Sequence, residues 1–164
     1  MITTEEYIKY CCEENLKKEY NKNLLEKYPW LTLYTYNVST GKLNKDLDYN
    51  YTRADDIPNG WRLAFGDQMI EELSQLLKKY NIEKEYCIIQ IKEEFGGLRW
   101  YDNGFPKEGS KEYFNWLHKY EDLSFKTCIE CGKPATRISK GWISPYCSDC
   151  INQDRSVPIE EFYK

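Results

Sequence analysis

The sequence predicts an α+β fold: a small antiparallel sheet packed against helices, followed by a compact cysteine-rich module. Three observations predict it. Apolar residues recur at helical spacing over 68–80 and 110–123. Two alternating segments, 86–94 and 98–103, flank Gly96-Gly97, a pair that tolerates the positive φ of a tight hairpin turn. Four cysteines stand as Cys128-x-x-Cys131 and Cys147-x-x-Cys150 near the C-terminal end.

In chain order, residues 3–28 read as a helix. Thr3-x-x-Glu6 forms a capping box, Ile8, Cys12, Leu16, Tyr20 and Leu24 make an i+4 stripe, and Tyr28-Pro29 stops it. Asn21 and Asn23 are the places where it could divide. Trp30 to Tyr36 alternates with period two and reads as a strand, the third of the sheet. Residues 39–60 are rich in Gly, Asn, Asp and Pro and read as a long loop. Asp67 is placed to cap the helix 68–80, whose Met69, Ile70, Leu73, Leu76, Leu77 and Tyr80 share a face and which Asn81 ends. Ser110 is placed to cap the helix 110–123, with Tyr113, Trp116, Leu117 and Tyr120 inward. The division expected is an α+β domain over 1–124, a cysteine module over 125–152 and a tail over 153–164 that adds one helical turn.

With Gly96-Gly97 as the turn, Phe95 pairs with Leu98, Glu94 with Arg99, Glu93 with Trp100 and Lys92 with Tyr101. Period two then puts Ile89, Ile91, Phe95, Leu98 and Trp100 on one face, with Glu93 an odd acid among them. Gln90, Lys92, Glu94, Arg99 and Tyr101 take the other. That polar face is either the solvated side of the sheet, with Glu94 and Arg99 as a cross-strand ion pair, or a site for an anionic ligand or partner. Trp61 and Arg62, next to the long loop, could join it.

The 164 residues suffice for a real core, so no disulfide scaffold is needed. The formal charge of −4 argues against non-specific coating of DNA. No apolar run is long enough to span a membrane, and MITTEEYIKY lacks the basic and apolar regions of a secretory signal. A cytoplasmic protein is expected, so the sequons at Asn37 and Asn50 are discounted.

Two thiolates three residues apart on a tight knuckle bind one metal ion from one side, and a second knuckle returned by a short hairpin completes a tetrahedron. Gly132 follows the second cysteine, where such a knuckle needs positive φ. The expected cofactor is one structural Zn2+ held by Cys128, Cys131, Cys147 and Cys150 in a zinc-ribbon or treble-clef-like module. Two disulfides, an iron–sulfur cluster or a redox pair are the alternatives. Cys11, Cys12 and Cys87 read as ordinary small hydrophobes of a reducing compartment.

The sole histidine, His118, lies within a helix, and the chain has no Ser-His-Asp set, Walker loop or dinucleotide fingerprint. Glu93-Glu94 and Asp55-Asp56 are adjacent acids, which a strand would send to opposite faces. A non-enzymatic chain is therefore the favoured reading.

Three segments together, Gly60-Trp61, Ile91-Lys-Glu-Glu-Phe-Gly-Gly-Leu-Arg-Trp-Tyr101 and the two Cys-x-x-Cys knuckles with Trp142 between them, resemble a family of small uncharacterised bacterial and phage proteins. That family's core reads approximately Lys-Glu-Lys-Phe-Gly-Gly-Leu-Arg-Phe-Tyr before two knuckles. Glu94 and Trp100 depart from it. The resemblance covers roughly 60–150 and implies a phage or bacterial cytoplasmic protein; it implies no activity. By analogy, the expected role is a binding protein that counters host defence by engaging a host protein or a small anionic, nucleotide-like signal, with Lys92, Arg99, Tyr101, Glu94, Trp61 and Arg62 as contacts and a homo-oligomer as one possible form. The alternatives are a nucleic-acid module using Lys126, Lys133, Arg137, Lys140, Trp142 and Tyr146, and a metal-dependent hydrolase or nuclease.

Overall fold

The computed structural model describes residues 1–10, 13–45 and 48–163. The chain is α+β, with small antiparallel sheets, helices between them and the cysteines gathered near the C-terminal end.

The N-terminal segment forms two helices, α1 (Thr4–Tyr10) and α2 (Glu14–Lys27). The Thr3 box forms in full: the Thr3 N–H donates to Glu6 Oε2 at 2.8 Å and the Glu6 N–H to Thr3 Oγ1 at 3.1 Å. The division falls before Glu14, with Glu13 extended at φ −87°, and not at either asparagine. Asn21 is buried mid-helix because its Nδ2 donates to the Tyr49 carbonyl at 2.8 Å and fastens the following loop. Tyr20 of the expected stripe is buried, while Ile8, Leu16 and Leu24 are half-buried; Cys12 lies outside the described residues.

Trp30 and Leu31 are adjacent and both fully buried, which a strand could not achieve. A 3-10 turn, Pro29–Leu31, achieves it instead. The strand begins later: β1 (Tyr34–Asn37) pairs with β2 (Lys42–Lys45) in a separate hairpin and does not join the main one. Further along the expected loop, residues 52–57 are built into the core. A second 3-10 turn, Arg53–Asp56, carries a capping box between Thr52 and Asp55 and sends Ala54 and Ile57 into the core.

Helix formation resumes at Pro58, not at Asp67. The helix α3 (Asn59–Trp61) runs through a π-helical turn, Arg62–Gly66, into α4 (Asp67–Lys79). Gly66 and Asp67 both have helical φ, so Asp67 caps nothing; it accepts a hydrogen bond from Thr4 Oγ1 at 2.7 Å. α4 buries Met69, Ile70, Leu73 and Leu77 and ends where Asn81 turns to φ 54°.

The main hairpin pairs β3 (Ile88–Glu94) with β4 (Gly97–Asp102). Its turn residues are Phe95 and Gly96, at φ 53° and 85°, one position before the expected pair. Gly97 is a strand residue, and only glycine fits there because a Cβ would stand 2.5 Å from the Phe125 ring. The register therefore puts Glu94 opposite Gly97, Glu93 opposite Leu98, Lys92 opposite Arg99 and Ile91 opposite Trp100. A register shift between Ile88 and Gln90 makes Ile88 the inward residue, and Ile89 and Phe95 are exposed.

The helix α5 (Ser110–Phe125) crosses the hairpin and buries Tyr113, Trp116, Tyr120 and Ser124. Its N-cap is Gly109, and the Ser110 hydroxyl donates to the Lys107 carbonyl at 2.9 Å. The core lies between α4, α5 and the hairpin. Two of its indoles are satisfied where they pack: Trp116 Nε1 donates to the Met69 carbonyl at 2.9 Å and Trp100 Nε1 to Tyr86 Oη at 2.8 Å.

The last segment is a three-stranded sheet in the order β6 (Pro145–Tyr146), β5 (Arg137–Ser139), β7 (Ser156–Pro158), then the short α6 (Ile159–Phe162). The expected tail is thus part of the module. β7 pairs with β5, and Arg137 Nη2 donates to the Ser156 carbonyl at 3.0 Å.

Candidate metal centre and the surfaces around it

Each knuckle is built by its own backbone. The Cys128 N–H donates to the Lys133 carbonyl at 2.7 Å, the Gly132 N–H to the Cys128 carbonyl at 3.0 Å, and Gly132 takes φ 80° to close the loop. The second knuckle repeats the turn, with the Cys150 N–H donating to the Cys147 carbonyl at 3.2 Å. The antiparallel pair β5–β6 brings the two together.

The four sulfur atoms lie within 4.8 Å of one another, and Cys131 Sγ is 3.5 Å from Cys147 Sγ. A disulfide needs about 2.05 Å, and these cysteines are free. A tetrahedral centre with metal–sulfur bonds of about 2.3 Å places its sulfurs about 3.8 Å apart. The cluster therefore fits a metal site. Four thiolates would leave no open coordination position, so the centre has the form of a structural site. Burial disfavours ionisation of Cys147, but hydrogen bonds from the Cys131 thiol and the Asp149 N–H outweigh it and bring this thiol down to about 7.

The first knuckle sits directly on the helical core. The Gly60 N–H donates to the Ile129 carbonyl at 2.8 Å, and Trp61 Nε1 donates to the Thr127 carbonyl at 3.0 Å. A Cβ on Gly60 would stand 2.2 Å from the Cys128 carbonyl oxygen, so only glycine lets the two backbones meet. Trp61 is wholly buried and presents no surface to a ligand. Arg62 is buried as well. Its Nη1 meets Asp55 at 3.0 Å, its Nη2 donates to Tyr20 Oη at 3.2 Å, and its guanidinium lies 4.8 Å from the Tyr7 ring centroid. Neither residue joins the polar face of the hairpin.

Lys92, Glu94, Arg99 and Tyr101 do share that face, in a different pairing from the expected one. Lys92 stands opposite Arg99, and the two like charges are relieved from the sides. Glu94 lies 3.9 Å from Lys92 and accepts from Tyr101 Oη at 3.2 Å; Glu121 of α5 lies 3.8 Å from Arg99. The expected Glu94–Arg99 cross-strand pair belonged to the other register.

Three of the four cations named around the knuckles are likewise engaged. Lys133 meets Asp149 at 3.3 Å, Arg137 is bound to Ser156 and Gln153, and Lys140 donates to the Asp154 carbonyl at 3.0 Å.

Sequence reasoning named Trp142 as a contact only in the nucleic-acid alternative and placed Phe95 on the apolar face, yet both stand out in solvent. Phe95 is 74 % exposed at the hairpin turn and Trp142 is 77 % exposed at the β5–β6 turn. The two turns touch: Trp142 Nε1 donates to Glu93 Oε2 at 2.7 Å, Glu93 Oε1 accepts the Gly96 N–H at 2.7 Å, and the Gly96 backbone lies against Ile143. The odd acid on the apolar face was the available signal. Glu93 is there to hold the turn and the indole.

Among the described residues no helix is long and apolar enough to cross a membrane. No protein-family model, curated protein or solved structure matches the chain.

Proposed function

We propose that this chain is a non-enzymatic binding protein, stapled by one structural Zn2+, that engages a protein partner through the adjoining turns at Phe95 and Trp142. One observation carries this reading: two aromatic side chains, each about three-quarters exposed, are carried on two turns that Glu93 joins. Phe95 occupies a left-handed backbone conformation that disfavours a side chain, and Trp142 is tethered through its indole N–H to Glu93 while most of its surface stays exposed. Exposed, preorganised aromatics of this kind are the residues that dominate protein interfaces. The small-anion reading has less support, because Lys92 and Arg99 each have a carboxylate within 4 Å. The nucleic-acid reading has less support because Lys133, Arg137 and Lys140 are bound internally. Zinc is the metal favoured by an all-thiolate tetrahedral donor set, and the order knuckle, hairpin, knuckle is that of a zinc ribbon. The resemblance to small phage proteins makes a host protein the natural partner class.

The test compares wild type with the double variant Phe95→Asn, Trp142→Ser in crosslinked capture from a bacterial lysate. The expected result is a partner band that the double variant loses while keeping its metal content and a cooperative unfolding transition. Equal capture by both proteins would overturn the assignment of the surface.

A further inference from the structure

On the opposite flank of the helical core, α2, α4 and residues 1–4 enclose a cleft of about 580 Å³. That is within the range of small-molecule sites. Its floor is apolar and buried: Tyr20, Tyr28 and Ile70 are at most 7 % exposed, with Leu24 beside them. Two carboxylates stand at its mouth, Asp67 and Glu71, one helical turn apart on α4. Like charges at this spacing repel one another.

Hydrogen bonds fix both acids. Buried Arg62 donates through Nη2 to Tyr20 Oη, which leaves the Tyr20 hydroxyl proton for Thr4 Oγ1 at 2.9 Å, and Thr4 in turn donates to Asp67 at 2.7 Å. Tyr28 Oη donates to Glu71. Asp67 therefore receives only neutral donors, and among the described residues it has no cationic partner. The nearest cation to Glu71 is Lys27, at 3.9 Å on the rim of the same cleft, with Lys78 acting from further off; the Lys27 side chain is largely in solvent and that of Glu71 partly so.

We propose that this cleft is a binding site for a small molecule with a hydrocarbon body and a protonated amine at one end. The body would lie on Tyr20, Leu24, Tyr28 and Ile70, and the ammonium would sit between Asp67 and Glu71. An ammonium there relieves the repulsion between the two acids and supplies three donors to oxygens already held in place. A carboxylate end would face two negative charges. A neutral end would leave the repulsion as it is.

The probe is n-hexylammonium, titrated into the metal-loaded full chain at neutral pH and followed by amide shifts, with 1-hexanol and hexanoate as comparisons. Saturable shifts centred on α2, α4 and residues 1–4 are expected for the amine, with affinity about ten-fold above that of hexanol and none for hexanoate. The variant Asp67→Asn, Glu71→Gln should bind amine and alcohol alike, and Leu24→Trp, which fills the cleft, should bind neither. Absence of saturable amine shifts would overturn the site, and hexanol binding as tightly as the amine would overturn its chemical class. The Phe95→Asn, Trp142→Ser protein should still bind the amine, so this site and the partner surface stand or fall separately.

Discussion

At Phe95 the proposed partner surface is set against stability. Its φ of 53° costs a side-chain-bearing residue about 1–2 kcal/mol, and its ring gains little burial in return. Asn-Gly is the preferred pair for this turn. Phe95→Asn is therefore expected to raise the unfolding free energy by about 1 kcal/mol, read as a higher urea midpoint, while weakening partner capture. A drop in the midpoint would mean that the ring packs on something in the folded state. Gly60 presents the reverse case. Gly60→Ala would drive a Cβ to 2.2 Å from the Cys128 carbonyl, with backbone on both sides and no flexible side chain to yield. It should cost about 2–3 kcal/mol or more and weaken metal retention, both measurable by denaturation with and without chelator. The Gly60-Trp61 pair was visible in the sequence as a motif, but its use was not. A buried indole donating to a carbonyl 66 residues away leaves no local trace.

Among the elements, those defined by their own periodicity were legible and those defined by a neighbour were not. The apolar spacing of α4 and α5 marked both helices, and Asn81 ended the first as expected. The helical start eight residues before Asp67 was hidden, because the π-helical turn shifts the spacing and the polar run before it looks like loop. The hairpin was recognised, yet its register was not, and in the observed register Phe125 of α5 packs where a Cβ on Gly97 would stand. Gly97→Ala should accordingly destabilise the protein by about 1–3 kcal/mol, although the position is an ordinary strand residue by its backbone. The loss should shrink in the double variant with Phe125→Leu, where the smaller side chain makes room. A mutant cycle in urea shows the coupling as non-additivity, and strictly additive effects would contradict this account of the contact.

Two kinds of restraint bear on the whole molecule: the metal proposed for the four cysteines, and the buried tyrosines. A structural metal contributes folding free energy directly, so chelation or Cys131→Ala should lower the melting temperature and loosen the module first, seen as faster hydrogen exchange over residues 128–158 than over α4. Retention of one metal per chain and an unchanged melting temperature in Cys131→Ala would refute the four-thiolate centre. The tyrosines predict an alkaline limit. Burial, reinforced by hydrogen bonds to Asp55, Glu71, Asp102 and Glu72, pushes the phenols of Tyr7, Tyr28, Tyr113 and Tyr120 above their ordinary value of 10.0. Below that value both states keep the proton. Above it the unfolded chain ionises first, so stability is lost progressively as the pH rises past about 10. Urea midpoints from pH 8 to 11, with phenolate absorbance as the monitor, test this; a flat profile would contradict it. By itself the sequence determined the α+β class, the principal helices, the existence of the hairpin and the four cysteines that meet, because periodicity, turn chemistry and ligand spacing act over a few residues. Only the tertiary structure decided the hairpin register, the isolation of the first strand pair, the burial of Trp61 and Arg62, and the exposure of Phe95 and Trp142. Each of these depends on which surface arrives from a distant part of the chain, and steric contact at that range is written in no local pattern.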